Sequence, residues 1–217
     1  MPFLLRVTLE DRPGSLGLLA VELGAVGADI RSLEVVERGD DYAVDDIVVE
    51  LPHGALPDTL ITAAEAVDGV HVDSLRPFGG MLDIHRELEL IDAVAARGAD
   101  RLQVLADQAP RSLNVSWASV VSRPASEVVV LAGSSGAPET PLVQADWLPL
   151  PRARLFETDA DWVPGPWREL DTSLAAAPIG DGGKALLLGR TGGPEFRPSE
   201  VARLGYLTGI ISTLIRK

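Results

Sequence analysis

The sequence contains no cysteine, only three histidines and 5% aromatic residues. The absence of cysteine excludes disulfides, thiolate catalysis and zinc sites built on cysteine. The histidines, His53, His71 and His85, have neither the spacing of metal ligands nor a motif with serine or aspartate that is typical of hydrolases. We therefore expect no catalytic residues, no metal and no cofactor, and we interpret the protein as a non-enzyme.

Basic residues and long apolar runs are also scarce. Nineteen Lys and Arg residues stand against 32 Asp and Glu residues, which gives a net charge of −13 and argues against a nucleic-acid or anionic membrane partner. No apolar run is long enough to cross a bilayer, and the chain does not open with the pattern of a signal peptide. We expect a cytoplasmic protein.

The length and composition indicate one large or two small folded domains. The chain has 217 residues, of which 46% are hydrophobic and 24% charged, as in ordinary globular proteins. The run Pro77-Phe78-Gly79-Gly80 separates two periodic segments and predicts a boundary there. We expect a first domain over residues 1–78 and a second over 81–217.

The stretch LEDRPGSLGLLAVELGAVGADI, residues 9–30, predicts a helix between two strands. Pro13 suits the first turn of a helix, and apolar residues then recur at helical spacing until Gly24 and Gly27. The backbone amides of Gly14, Ser15 and Leu16 would belong to that first turn and would lack intrahelical acceptors. Such amides, at the positive end of the helix dipole, favour an anion such as a carboxylate.

The first domain as a whole predicts the order βαββαβ. The expected elements are strands at residues 3–9, 30–37, 42–51 and 70–75, a helix at about 13–26, a second helix that starts at Pro57, and a hairpin turn at 38–41. On the third strand, Ile47, Val49 and Leu51 alternate onto one face. This order predicts an α+β fold with both helices on one face of a four-stranded antiparallel sheet.

The segment FLLRVTLEDRPGSLGLLAVELGAVGADIRSLEVV resembles the first half of an ACT domain, the ferredoxin-like ligand-sensing module of amino-acid metabolism. The resemblance covers roughly residues 3–78. It implies a homodimer with an effector bound where the first helix begins, residues 11–16 forming one wall and residues 27–30 the other. The implied ligand-binding residues are Asp11, Arg12, Pro13, Gly14, Ser15, Leu16, Gly27, Ala28, Asp29 and Ile30.

Three positions differ from the serine-sensing version of that family. It has a His two residues before an Asn in the turn and a second Asn after the helix, where this chain has Leu9, Asp11 and Asp29. We therefore do not predict serine as the ligand. Asp11 or Asp29 would hold an ammonium group by a charge-assisted hydrogen bond, or alternatively Asp11 caps the helix and Asp29 a turn.

Four acidic residues, Asp40, Asp41, Asp45 and Asp46, cluster around the hairpin. They lack the spacing of a calcium-binding loop. We interpret the cluster as a solvated hairpin whose charge protects the sheet edge.

The second domain predicts helices followed by a sheet. We expect helices at 81–96 and 99–109, paired strands at 115–122 and 127–132, an irregular stretch at 133–171, paired strands at 173–178 and 184–189, and a helix at 198–215. The first helix carries an apolar stripe of Ile84, Leu88, Ile91 and Ala95, and Pro110 ends the second.

The segment SLAAAPIGDGGKALLLGRTGGPEFRPSEVARLGYLTGIISTLI resembles the C-terminal half of a GAF domain. The resemblance implies a GAF- or PAS-like antiparallel sheet with helices behind it and a pocket in front, roofed by residues 133–171. That stretch holds Trp147, Trp162 and Trp167, which either pin it to the sheet or stack on a flat ligand; we favour packing.

These observations predict a regulatory protein. We expect non-catalytic sensing of a small metabolite, an amino acid, at an ACT dimer interface, with an output to a regulated protein partner. The alternative is a dimerisation or protein-interaction module without a small-molecule ligand. A third hypothesis is an enzyme without a recognisable motif in the Trp-rich pocket.

Overall fold

The computed structural model describes residues 2–78, 85–125 and 127–215. These residues form an α+β structure with two antiparallel sheets and six helices, which confirms the predicted α+β class. The chain divides into two compact units, Met1–Asp83 and Ile84–Lys217. None of the helices in the described ranges has the length and apolar character needed to span a membrane.

The first unit has the predicted order of elements. They are β1 (Pro2–Glu10), α1 (Ser15–Ala25), β2 (Asp29–Arg38), β3 (Tyr42–Glu50), α2 (Asp58–Glu65) and β4 (Val70–Pro77). The strands form an antiparallel sheet in the order β2-β3-β1-β4. Alternate residues of β1 and β3 pack against Leu19, Leu23 and Leu60 of the two helices, so both helices cover the same face.

The start of α1 differs from the prediction. Pro13 lies before the helix, and Gly14, at φ 99°, is its N-cap. The amide of Ser15 donates to the carbonyl of Arg12 (3.2 Å), so residues 12–15 form a tight turn with Pro and Gly in the middle. Because Gly14 has a left-handed backbone, the helix cannot begin before Ser15.

The second unit is built around a five-stranded sheet. Its elements are α3 (His85–Ala96), α4 (Arg101–Ser112), β5 (Trp117–Ser122), β6 (Val129–Gly133), β7 (Arg154–Phe156), α5 (Gly165–Glu169), β8 (Thr172–Ile179), β9 (Lys184–Thr191) and α6 (Pro198–Ile215). The strand order is β6-β5-β9-β8-β7, and all pairs are antiparallel. Both predicted strand pairs are present. The stretch 133–171, expected to be irregular, contains β7 and α5.

Two helices of this unit correct the sequence analysis. On α3, Leu90 and Val94 are buried. The predicted stripe is wrong for Leu88, which is 60% exposed, and for Ala95, whereas Ile91 packs against the core as predicted; Ile84 lies outside the described residues. The packed side of α3 also carries Glu87, which pairs with Arg203 of α6. Pro110 lies within the last turn of α4 and does not end it: the helix continues to Ser112, with the loss of the one hydrogen bond that the proline nitrogen cannot donate.

The sheet of the second unit is covered on both faces. Helices α3, α4 and α6 pack on one face. On the other, Leu148, Leu150 and Val163 of the stretch 133–171 pack with Trp117 and Trp167, whose ring centroids are 4.9 Å apart. The expectation that the tryptophans pin this stretch to the sheet is confirmed. Packed side chains therefore occupy the face where the resemblance implied a front pocket.

Candidate functional site

A cavity of about 340 Å³ lies in the first unit where α1 begins. Six of the ten predicted ligand-binding residues line it, namely Asp11, Arg12, Pro13, Gly14, Ser15 and Leu16. The other lining residues come from the ends of three strands, namely Leu9, Glu10, Val35, Arg38, Ala43 and Asp45. The sheet ends and the turn before α1 thus enclose one site.

Backbone amides at the start of α1 are available to a ligand. Within the described residues, the amides of Gly14 and Leu16 donate to no backbone carbonyl, whereas the Ser15 amide is used by the turn. The first turn of α1 has no acidic residue and no side-chain cap. Two of the three predicted amide donors therefore remain at the positive end of the helix dipole, where an anion is favoured.

Arg38 brings a cation to the opposite wall because of a bulge in the sheet. The pairing of β2 with β3 shifts between Val35 and Glu37, so Val35 lies opposite Asp45 and Arg38 opposite Ala43. Cross-strand partners share a face, so the bulge places Arg38 on the helix-covered face, whereas regular pairing would put it on the other. Nε of Arg38 lies 2.9 Å from Oδ2 of Asp11.

The observed position of Asp11 favours neither of its two predicted roles. Asp11 does not cap α1, because the N-cap is Gly14 and no side chain caps it. Its carboxylate is already neutralised by Arg38, which makes it a poor acceptor for a further ammonium group. The neighbouring Arg12 and Glu10 form a second, exposed ion pair, with Nη1 of Arg12 at 3.1 Å from Oε2 of Glu10.

Asp45 lies at the inner wall of this cavity and is 1% exposed. Neither of its carboxylate oxygens has a hydrogen-bond partner among the described residues. Burial raises the pKa of Asp45 from 3.8 to about 6; Arg38 opposes this shift, and the carboxylates of Asp11 and Asp46 add to it. The cavity therefore contains a buried carboxylate to which no group in the described part of the chain donates a hydrogen bond.

The interpretation of the acidic cluster as a solvated hairpin is wrong for Asp45 and Asp46. Asp46 is 2% exposed on the opposite face of the sheet and forms a two-bond pair with Arg6, with Nε–Oδ1 at 2.7 Å and Nη2–Oδ2 at 2.8 Å. Only Asp40 and Asp41 are exposed. The strand alternation is the signal that could have found Asp45, since Asp45 is in phase with Ile47 and Val49, which were predicted to share one face of β3.

The other four predicted residues lie elsewhere. Gly27, Ala28, Asp29 and Ile30 follow the C-terminal end of α1, whose 11 residues span about 16 Å. Gly27, at φ 77°, ends the helix, and Asp29 opens β2 rather than capping a turn, its Oδ2 3.2 Å from Nη1 of Arg31. A single chain does not bring residues 27–30 to the cavity.

A second cavity, of about 860 Å³, lies at the β7 edge of the second unit. Phe156 and Trp162 contribute rings, with centroids 4.9 Å apart, and Arg154, Arg168 and Asp159 contribute charges. The charged residues are all exposed. Across the described ranges, no group of three or more His, Asp or Glu side chains is arranged to hold a metal ion.

Comparison with known proteins gives no assignment. No protein-family model and no curated protein matches the chain. A formyltetrahydrofolate deformylase from Pseudomonas putida KT2440 is similar at a TM-score of 0.30 and 11% identity, over 42% of this chain and 36% of that one. An unknown protein from Galdieria sulphuraria is similar at a TM-score of 0.31 and 13% identity, over 100% and 92% of the two chains. Neither similarity is high enough to bear on fold or function.

Proposed function

We propose that the protein is a non-catalytic regulator whose first unit, an ACT-type domain, binds a small metabolite of the amino-acid class. The observation that carries this proposal is the cavity at the start of α1. It combines free helix amides, the guanidinium of Arg38 and the unneutralised carboxylate of Asp45. The second unit, in this proposal, is a GAF-like domain that passes on the binding event.

The architecture of each unit supports this proposal. The first has two helices on one face of a four-stranded sheet with the order β2-β3-β1-β4. The second has a five-stranded antiparallel sheet with three helices packed on one face. These are the arrangements that the two sequence resemblances imply, although a fold alone does not define a function.

The chemistry of the cavity suits an amino acid. Such a ligand carries a carboxylate and an ammonium group on one carbon atom, so it needs donors and an acceptor close together. The amides of Gly14 and Leu16 and the side chain of Arg38 are donors, and Asp45 is an acceptor. The volume of about 340 Å³ lies at the lower end of the range of small-molecule pockets.

We further propose that the site is completed in a homodimer. Residues 27–30 would reach a cavity only as part of a second copy, because in one chain they lie at the far end of α1. β2 is an edge strand with Leu33 and Val35 more than 40% exposed, and α1 exposes Leu18 and Val21. Pairing of copies would cover such an edge. The same exposed residues favour the second candidate function, a dimerisation module without a small-molecule ligand.

Differential scanning calorimetry of the full chain with each of the twenty amino acids tests the proposal. A ligand that binds only the folded first unit should raise its melting temperature progressively with ligand concentration, by several degrees at concentrations far above Kd. All four tryptophans lie between residues 117 and 167, so Trp fluorescence reports the second unit and identifies its transition.

Two variants locate the effect. Arg38→Gln should reduce the ligand-induced shift, and Asp40→Asn, on the exposed hairpin tip, should leave it unchanged. Absence of a shift with all twenty amino acids, combined with a dimer in sedimentation equilibrium, would favour the dimerisation module. A shift confined to the transition reported by tryptophan would contradict the assignment of binding to the first unit.

A further inference from the structure

We infer that Asp45 is the residue that recognises the cationic end of the ligand, so that the cavity accepts amino acids and rejects their 2-oxo acid counterparts. The inference rests on the proposed function of the first unit and assigns the specificity of that site. It moves to Asp45 a role that the sequence predicted for Asp11 or Asp29.

Two adjacent carboxylates of β3 differ in whether a protein group pairs with them. Asp45 and Asp46 are both almost fully buried, on opposite faces of the sheet. Asp46 has the guanidinium of Arg6 as a two-bond partner, which is the usual way in which a buried charge is accommodated. Asp45 has no such partner for either oxygen among the described residues. A cationic ligand group in the cavity would supply the missing partner.

The charges around Asp45 also favour a cation at this position. Two cations line the same cavity, Arg38 and Arg12, but each already has a carboxylate partner, Asp11 and Glu10 respectively. Both arginine side chains are more than half exposed. Asp11 comes from the segment before α1, and Asp46 follows Asp45 on β3 and lies on the opposite face of the sheet. Both carboxylates repel a negative charge at Asp45. Burial and these two carboxylates together outweigh the opposing effect of Arg38, so a cationic group beside Asp45 is favoured.

The position of the remaining donors gives the ligand an orientation. The amides of Gly14 and Leu16 lie at the turn side of the cavity, and Asp45 lies on the sheet side. A ligand with a carboxylate at the turn and an ammonium group at the sheet satisfies both. A 2-oxo acid would place a carbonyl oxygen against the Asp45 carboxylate, two acceptors without a proton between them, and would leave the buried carboxylate unpaired.

The recognition is linked to protonation. Burial raises the pKa of Asp45 to about 6, with Arg38 opposing the shift and Asp11 and Asp46 adding to it. The ammonium group needs the ionised carboxylate, so at pH 5 binding must release the proton of Asp45 to solvent. The affinity should then fall by up to about tenfold for each pH unit below 6.

Calorimetric titration of the full chain with matched pairs tests the inference. The probes are L-alanine and pyruvate, L-leucine and 4-methyl-2-oxopentanoate, L-glutamate and 2-oxoglutarate, and L-phenylalanine and phenylpyruvate. For a pair whose amino acid binds, we expect the amino acid to bind at least about tenfold more tightly than the oxo acid. Asp45→Asn should abolish that preference, and Asp40→Asn, which removes an exposed charge of the same hairpin, should retain it.

Other outcomes would overturn the inference in distinguishable ways. Equal affinity of both members of a pair, or a preference that persists in Asp45→Asn, refutes the role of Asp45 while the proposed binding function stands. A response to Mg²⁺ or Ca²⁺ alone that is lost in Asp45→Asn would make Asp45 a metal ligand instead. If neither these pairs nor any other of the twenty amino acids binds, the proposed function fails and the inference with it.

Titrations at pH 5 in two buffers of different ionisation enthalpy should show proton release in the wild type and none in a variant that lacks Asp45.

Discussion

The same substitution at two adjacent positions should have opposite effects on stability. Asp45→Asn should stabilise the first unit at neutral pH in the absence of ligand, because it removes a buried charge that has no partner. Asp46→Asn should destabilise the same unit, because it replaces the charged two-bond partner of the Arg6 guanidinium, 1% exposed, with a neutral amide. The expected cost for Asp46→Asn is about 3–5 kcal/mol at pH 7.

The magnitude for Asp45 follows from its pKa. The pKa is raised from 3.8 in the unfolded chain to about 6 in the fold. The folded state therefore binds the proton more tightly, and the stability of the wild type falls as the pH rises from about 4 to about 6. A shift of about 2 pKa units corresponds to a loss of about 3 kcal/mol, which Asn, having no titratable proton, does not suffer. The variant should approach the wild type in stability at pH 4 and exceed it at pH 7.

Urea unfolding at pH 4, 5.5 and 7 measures this difference. Far-UV circular dichroism follows both units, and Trp fluorescence follows the second unit alone, since all four tryptophans lie there. The fluorescence transition should be identical in the wild type and both variants at each pH. The reasoning is refuted if Asp45→Asn destabilises the first unit at pH 7 as much as Asp46→Asn does. A stability difference between Asp45→Asn and the wild type that does not change with pH would refute it as well.

Five further substitutions test other parts of the structure. Gly14→Ala should destabilise the first unit by about 1–2 kcal/mol, because Gly14 has a positive φ. Gly17→Ala, at an exposed position within α1, should stabilise the same unit by about 0.5–1 kcal/mol. Urea unfolding measures both effects. Leu33→Glu, on the exposed edge strand β2, should convert the proposed dimer to monomer in sedimentation equilibrium, and an unchanged mass would exclude this edge from the interface. Trp167→Ala should cost the second unit about 3–5 kcal/mol by Trp fluorescence unfolding, whereas Val143→Ala, at a position 73% exposed, should cost little.

Local patterns predicted the order of elements and much of the core. The alternation of Ile47, Val49 and Leu51 on β3 predicted that these residues share one face, and they do, on the side that the helices cover. The same alternation places Asp45 inside, but four acidic residues near a turn suggested a solvated hairpin instead. The periodicity was the better guide, because position in a strand determines which way a side chain points, whatever its charge.

Features that depend on distant contacts were not predictable in the same way. Arg38 reaches the cavity only because the pairing of β2 with β3 shifts after Val35, and no pattern in the sequence indicates that bulge. On α3, apolar residues at helical spacing form two alternative stripes, one with the buried Leu90 and Val94 and one with the exposed Leu88. Periodicity does not distinguish them, and packing against neighbouring helices selects the buried side. The dipeptide Pro-Gly before α1 did carry a turn signal that favours a later helix start.

The most direct test of ligand binding at the start of α1 is a map of amide chemical shifts. Amide spectra of the ¹⁵N-labelled full chain would be recorded with and without an equimolar mixture of the twenty amino acids. We expect the largest changes at the amides of Gly14, Ser15 and Leu16 and at Arg38 and Asp45 on the opposite wall. An unchanged spectrum, or changes confined to the second cavity at residues 154–168, would contradict the proposed binding site.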